Sequence, residues 1–154
     1  ILRDYAFFVN LPKTRNLTYY FVDIGLRNAR LNFRQQEENH IMENVIFNEL
    51  KVRGFDVDVG VVEHNSKNAD GKSQRNFLEI DFVANKGSRR FYIQSALNID
   101  SEEKRLQEIN SLRRINDSFQ KIVVVKDDIE PWQDDEGIQY IGIKKFLLEE
   151  DYLK

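Results

Sequence analysis

The spacing of apolar residues changes from helical to alternating near Gly54. In residues 35–53 apolar positions recur every three or four residues, and in residues 55–62 they alternate with polar positions. A helix repeats every 3.6 residues and a strand every two, so these patterns predict a helix that ends at Gly54, followed by a strand. Residues 76–84 and 89–97 predict two more strands, separated by a short turn that contains glycine.

Further elements precede and follow these strands. Residues 63–74 are polar and predict a surface hairpin loop, and the alternation in 76–84 places Ile80 and Phe82 on one face and Asp81 on the other. The remaining predicted elements are a lead-in at 1–22 with a short strand or turn at 19–22, a helix at 23–31 capped by Asp23, a helix at 101–116 capped by Asp100 or Ser101, strands at 121–125 and 138–143, and a terminal helix at 144–151. This order predicts an α/β fold with a mixed β-sheet flanked by helices on both faces.

Length and composition favour one α/β domain at 35–154, preceded by a lead-in or linker at 1–34. The chain has 154 residues, 41% of them apolar, and a net charge of −3, so no overall basic field attracts nucleic acid. It contains no Cys, which excludes a disulfide framework and a thiolate zinc site. We find no signal peptide and no apolar run of about 18 residues, so we expect a cytoplasmic protein that does not enter a membrane. Because the first residue is not Met, we expect a piece of a longer protein.

Residues 126–136 (KDDIEPWQDDE) hold six acidic residues and one Lys. The simplest interpretation is a solvated acidic loop, and the alternative is a mimic of nucleic acid. Trp132 within it is interpreted as a local packing residue, with a role as partner anchor as the alternative. His40 and His64 lack the partner spacing of a zinc site. Arg27, Arg30 and Arg34 form one basic helical face if the helix extends that far, and we expect it to face water.

The candidate chemistry lies in residues 79–100 (EIDFVANKGSRRFYIQSALNID), where Asp81 on one strand precedes Gln94 and Ala96 on the next. Metal-dependent hydrolysis of phosphodiesters requires carboxylates that hold Mg²⁺ and a group that orients the attacking water. Residues two apart on a strand point the same way, so the side chains at positions 94 and 96 are predicted to face one cleft. An active site of this kind would carry an acid and a lysine at these two positions. Glu43 on the preceding helix completes the predicted metal shell, giving Asp81, Glu43 and Gln94 as candidate ligands.

These motifs resemble the PD-(D/E)XK nuclease superfamily, and the whole chain resembles the C-terminal domain of a bacterial family of predicted AAA-type ATPases. The second resemblance rests on YYFVDIGLRNARL (19–31), HIMENVIFNELKVRGFDVDVGVV (40–62), EIDFVA (79–84), FYIQSAL (91–97), LRRINDSFQKIVVV (112–125) and IQYIGIKKFLL (138–148). It implies a restriction-endonuclease-like core and an attached N-terminal P-loop ATPase domain that binds ATP. The sequence G-x-x-x-x-G-K-[ST] is absent from this chain, so any ATP site belongs to the other domain.

The predicted site departs from an active nuclease at two positions, because Gln94 lacks the charge of a carboxylate and Ala96 replaces the lysine. Losing one acid–base or electrostatic group typically costs about 10²- to 10⁴-fold in rate, so two losses indicate a degenerate site. Glu79 on the face of Asp81, or Lys104 from the following helix, could supply a missing group. Arg113 or Arg114 could bind a phosphate, while solvent exposure of Glu43 and a structural hydrogen bond of Asp81 are the competing interpretations.

Three functions follow from these residues. The first is a degenerate, non-catalytic module of an ATPase that binds nucleic acid or a partner. The second is a weak Mg²⁺-dependent nuclease that uses Glu43, Asp81 and Gln94, with Glu79 or Lys104. The third is a structural or oligomerisation domain of the ATPase, which predicts that a neighbouring molecule covers the face that carries Asp81.

Overall fold

The computed structural model describes residues 6–10, 17–34, 37–67 and 71–153. The strands are β1 (Ala6–Asn10), β2 (Leu17–Phe21), β3 (Asp56–Lys67), β4 (Ser73–Lys86), β5 (Arg89–Ala96), β6 (Gln120–Val125), β7 (Trp132–Gln133) and β8 (Ile138–Gly142). The helices are α1 (Ile24–Arg30), α2 (Glu38–Val52), α3 (Glu102–Glu108), α4 (Asn110–Arg113) and α5 (Ile143–Leu148), followed by a 3₁₀ helix (Glu150–Leu153). Within these ranges no helix combines the length and the apolar character that crossing a membrane requires.

Six strands form one mixed sheet in the order β3-β4-β5-β6-β8-β7, and β1 pairs with β2 in a separate hairpin. The pairs β3–β4 and β4–β5 are antiparallel, whereas β5–β6 and β6–β8 are parallel. The parallel connection from β5 to β6 passes through α3 and α4, as a crossover between parallel strands requires. The predicted α/β class with a mixed sheet is confirmed.

Helices cover both faces of this sheet. On one face, Ile46 and Leu50 of α2 and Phe146 of α5 pack against Phe82 and Ile93 of the sheet. On the opposite face, Ile109 and Leu112 pack against apolar residues of β5, β6 and β8. These residues are all at most 2% exposed, so the sheet has a packed core on each side.

Several predicted boundaries are confirmed by local chemistry. Asp23 accepts a hydrogen bond from the backbone N–H of Leu26 at 2.9 Å and therefore caps α1. The helix predicted at 35–53 is α2, and Gly54 after it has φ of +78°, the left-handed conformation that glycine adopts without a steric cost. Ser101, and not Asp100, caps α3, because its hydroxyl accepts from the N–H of Lys104.

Other local predictions were wrong. The loop predicted at 63–74 is shorter, because β3 continues to Lys67 and β4 begins at Ser73. The helix predicted at 101–116 divides at Ile109 into α3 and α4. Part of the predicted irregular lead-in forms the β1–β2 hairpin, and Tyr20 of this hairpin is 4% exposed and stacks on Phe47 of α2 at 4.3 Å. Cross-strand and tertiary contacts, which local patterns do not encode, account for these differences.

A β-bulge in β4 sets the direction of Asp81. Asp58 pairs with Val83, but Gly60 pairs with Ile80, so three steps along β4 oppose two along β3. As a result Ile80 and Phe82 lie in the cores on opposite faces of the sheet, which corrects the prediction that they share one face.

Gly60 provides the space for this bulge, and we expect Gly60→Ala to destabilise the protein by about 1–3 kcal/mol. A Cβ at this position would lie 2.8 Å from Val83 Cγ2 and 3.0 Å from Ile80 Cβ, two β-branched side chains that move little. Denaturant unfolding measures the effect, with the exposed substitution Ser73→Ala as the control. Equal stability of Gly60→Ala and the control would contradict the prediction.

Candidate functional site

The candidate site lies where β4 separates from β5. The ladder between these strands ends at the pair Phe82–Ile93, and Asp81 is the first β4 residue beyond it. The side chain of Asp81 replaces the missing ladder contact, because its Oδ2 accepts a hydrogen bond from the backbone N–H of Ser95 at 2.7 Å. Its carboxylate therefore links the two strands at the point where they part.

Gln94 occupies the second oxygen of the same carboxylate. Its Nε2 donates to Asp81 Oδ1 at 3.0 Å, and its Oε1 lies 3.4 Å from the hydroxyl of Ser111 on α4. Ser111 is only 5% exposed. Gln94 is therefore turned with its amide N–H toward Asp81 and its carbonyl toward the protein interior.

An open pocket of about 450 Å³ contains most of the predicted site residues. Glu43, Asp81, Gln94 and Lys104 all line it, although they come from four different elements. Lys104 Nζ donates to Asn98 Oδ1 at 3.0 Å at this surface. The remaining lining residues are Asn39, Ser95, Leu97, Asn98, Gln107 and Glu108.

Other candidates lie elsewhere. Glu79 is not among the lining residues, although its charge acts on Asp81. Arg113 pairs with Glu136 at 2.8 Å, and Arg114 donates to Asn110, so neither arginine lines the pocket. Their placement does not support the predicted phosphate contact at this site.

Ala96 does not face the pocket, which corrects the prediction that positions 94 and 96 share one cleft. It is 2% exposed and packs in the core that contains Ile109 and Leu112. The backbone carbonyl of Ala96 accepts a hydrogen bond from the N–H of Lys126, so the edge of β5 is already paired at this residue. A side chain that replaced Ala96 would enter the core and not the pocket.

The surroundings of the pocket disfavour ionisation of its carboxyl groups. Burial, and then the charges of Glu43, Glu79 and Glu108, raise the pKa of Asp81 to about 7, against the lowering effect of the Ser95 N–H. Burial is also the largest cause of the raised pKa of Glu43, which His40 partly counteracts. The pKa values of Glu79 and Glu108 are raised by burial as well. These carboxyls therefore lack cations sufficient to offset their desolvation.

The predicted ligands do not fit a divalent cation in this arrangement. Both oxygens of Asp81 already accept hydrogen bonds, and Gln94 presents its N–H to Asp81. Across the described ranges, no three His, Cys, Asp or Glu side chains come together as a metal site. A bound Mg²⁺ would require oxygen ligands that point at one position, so Gln94 would have to turn.

Sequence reasoning missed Glu108 and the carboxamides of Asn39, Asn98 and Gln107. Glu108 was detectable, because it lies four residues after Lys104 and therefore on the same helix face. The carboxamides carried no comparable signal, since the approach of Asn39 and Gln107 depends on how α2 and α3 pack, and Asn98 lies in the connection between β5 and α3.

The acidic segment 126–136 is not simply solvated. Asp134 pairs with Arg105 at 3.0 Å, and Asp128 pairs with Lys144 at 3.0 Å. Glu130 and Glu136 pair with Lys145 and Arg113. Trp132 in β7 stacks on Tyr140 at 4.1 Å and remains 42% exposed, in agreement with a local packing role. Four of the six carboxylates thus have basic partners within the chain.

Comparison with known proteins finds similarity to a protein of unassigned function. The chain is 31% identical over 134 residues to an uncharacterised protein of Haemophilus influenzae. The match covers 87% of this chain and 29% of that protein, so the chain spans less than a third of the length of the relative it matches. No family model matches the chain. No solved structure matches it either.

Proposed function

We propose that this chain is a degenerate PD-(D/E)XK-like module attached to an AAA-type ATPase, and that it binds nucleic acid or a partner without cleaving phosphodiesters. The order of elements supports the proposal: a helix is followed by three antiparallel strands, a helical crossover and a parallel strand, the order that we expect for such a core. The length of the Haemophilus relative leaves room for an ATPase domain beside the matched region.

One observation carries the non-catalytic part of the proposal. Asp81 lies where the strands part, and each of its oxygens accepts a hydrogen bond, one from the N–H of Ser95 and one from Nε2 of Gln94, so Gln94 presents a donor where a metal would need a ligand oxygen. The position that would supply a lysine is Ala96, which is in the core. The pocket therefore holds a carboxamide, and not an acid, at the second-strand position, and the position expected to carry a lysine does not open into it, which supports a site without catalysis.

A cleavage assay tests this proposal. Supercoiled plasmid and single-stranded RNA are incubated with the protein and 10 mM Mg²⁺ or Mn²⁺, an order-of-magnitude excess over usual site affinities. We expect no cleavage above that of Asp81→Ala, since loss of two catalytic groups costs about 10⁴-fold or more. Metal-dependent cleavage that disappears in Asp81→Ala would contradict the proposal.

A weak Mg²⁺-dependent nuclease is the second candidate, and the position of Lys104 favours it. Lys104 lines the pocket together with Glu43 and Asp81, as a displaced lysine would. If this candidate is correct, Lys104→Met abolishes the cleavage that the parent shows. The assay above therefore separates the two candidates, with Lys104→Met as an additional variant.

A further inference from the structure

Helix α1 is an unusually exposed part of the described structure. None of its residues is buried, and it makes no extensive packing contact with another described element. Seven residues are too few for a stable isolated helix, because nucleation is costly and short helices depend on packing. The free energy for holding α1 in one place must therefore come from its ends or from a molecule that covers it.

The beginning of α1 is held by hydrogen bonds to α2. Before it, Asn44 of α2 binds both the N–H and the C=O of Phe21, at 2.8 and 2.7 Å. Asn48 donates to the carbonyls of Phe21 and Val22. The start of α1 is thus tied to α2, the same helix that carries Glu43 to the pocket.

After α1, the chain adopts a costly conformation. Asn32 and Phe33 have φ of 50° and 55°, and left-handed backbone is uncommon for a bulky residue such as Phe. The turn leaves the Phe33 side chain 63% exposed, so its burial does not offset this cost within the chain.

Apolar and basic side chains share this surface. Five of the ten large apolar residues that are exposed in the described structure lie between positions 19 and 33, which concentrates half of them in one short segment: Tyr19, Val22, Leu26, Leu31 and Phe33. Residues 24–34 also contain Arg27, Arg30 and Arg34 and no acidic residue. Arg30 and Arg34 form no ion pair with any residue that the structure describes. Such a surface fits an acidic protein surface with apolar contacts.

The chain itself offers an acidic surface at the pocket that contains Asp81, where Leu97 is an apolar lining residue. Among the residues that the structure describes, Glu43, Asp81 and Glu108 line the pocket, Lys104 is its one lining cation, and no residue of α1 lines it. We propose that α1 and the turn after it, as far as Arg34, dock at the pocket of a second copy of this chain, with Arg30 and Arg34 beside the pocket carboxylates. The inference rests on the proposed partner-binding function and names the partner. Packing of α1 on α1 is disfavoured, because it would bring four arginines together without acids in either helix.

Self-association of the chain tests the inference. Sedimentation velocity from about 10 to 500 μM, a range that covers weak protein contacts, is expected to show association at 50 mM NaCl that weakens at 500 mM. The variant Arg30→Ala/Arg34→Ala is expected to dissociate at least tenfold more readily. The control Arg75→Ala/Arg114→Ala removes equal charge elsewhere and should leave association unchanged.

A mixing experiment identifies the two halves of the contact. The variant Arg30→Ala/Arg34→Ala loses the arginines but has an intact pocket. The variant Glu43→Gln/Glu108→Gln loses two pocket acids but has intact arginines. We expect each variant alone to be monomeric and the mixture to form a 1:1 complex, because only the α1 of one variant and the pocket of the other remain intact. No complex in the mixture would overturn the inference.

Other occupants give different results. A parent chain that stays monomeric throughout overturns the inference, as does a single-stranded oligonucleotide that binds through Arg30 and Arg34 without self-association. In both cases the cleavage assay is unaffected, so failure of this inference is distinguishable from failure of the proposed function.

Discussion

Asp81→Asn is expected to stabilise the protein at pH 8 and to leave its stability at pH 5 nearly unchanged. The pKa of Asp81 is raised to about 7 from 3.8, chiefly by burial, so the folded state resists ionisation of this carboxyl. Between these two values the folded chain binds more protons than the unfolded chain, and stability falls as pH rises. Ionisation at pH 8 costs at most about 4 kcal/mol, at about 1.4 kcal/mol for each pH unit.

Asparagine avoids this cost but weakens the bonds from Ser95 and Gln94, which subtracts about 1–2 kcal/mol. We therefore expect a net gain of about 2 kcal/mol at pH 8, measured by urea unfolding from pH 5 to pH 8. Asp56→Asn, whose parent side chain is 95% exposed, serves as the control and should show no such gain. If Asp81→Asn were as pH-dependent as the parent, the account of the pocket charge would be wrong.

Asp134→Ala is expected to destabilise the protein by about 3–5 kcal/mol, the cost of removing one partner of a buried ion pair. Asp134 is 9% exposed and accepts from Arg105, from the hydroxyl of Tyr140 and from the N–H groups of Glu136 and Ile138. Burial and this carboxylate raise the pKa of Tyr140 to about 12. Its removal leaves several buried donors without an acceptor.

Glu102→Ala is the matched control, because Glu102 also pairs with Arg105 but is 66% exposed. Exposed pairs contribute about 0–1 kcal/mol, so we expect a small effect. Denaturant unfolding of both variants measures the difference. Equal losses would contradict the view that segment 126–136 is held by the buried Asp134 contacts.

The sequence was sufficient to predict the α/β class and the main elements. Helix α2 has regular apolar spacing and a glycine after it, and β6 is a continuous apolar run, so local signals were strong. The β4 bulge was not predictable, because Ile80 and Phe82 continue the alternation while the register shift depends on Gly60 of another strand.

The candidate site was predicted in part for similar reasons. Asp81 and Gln94 were predicted from strand spacing, Glu43 and Lys104 with the help of the family resemblance, and the structure brings all four to one pocket. Their hydrogen bonds were not predictable, because the orientation of Gln94 depends on where β4 and β5 part. The pairing of the acidic segment required knowledge of which basic side chains lie opposite it.

Calorimetric titration of Mn²⁺ tests most directly whether the site at Asp81 binds a divalent cation. We expect no saturable binding to the parent, because Gln94 directs an N–H, and not a ligand oxygen, at the carboxylate of Asp81. Gln94→Glu replaces the donor by a second carboxylate and should create a binding site that Asp81→Ala removes. Gln107→Glu adds the same charge elsewhere in the pocket and controls for nonspecific attraction. Saturable binding by the parent that disappears in Asp81→Ala would contradict the account.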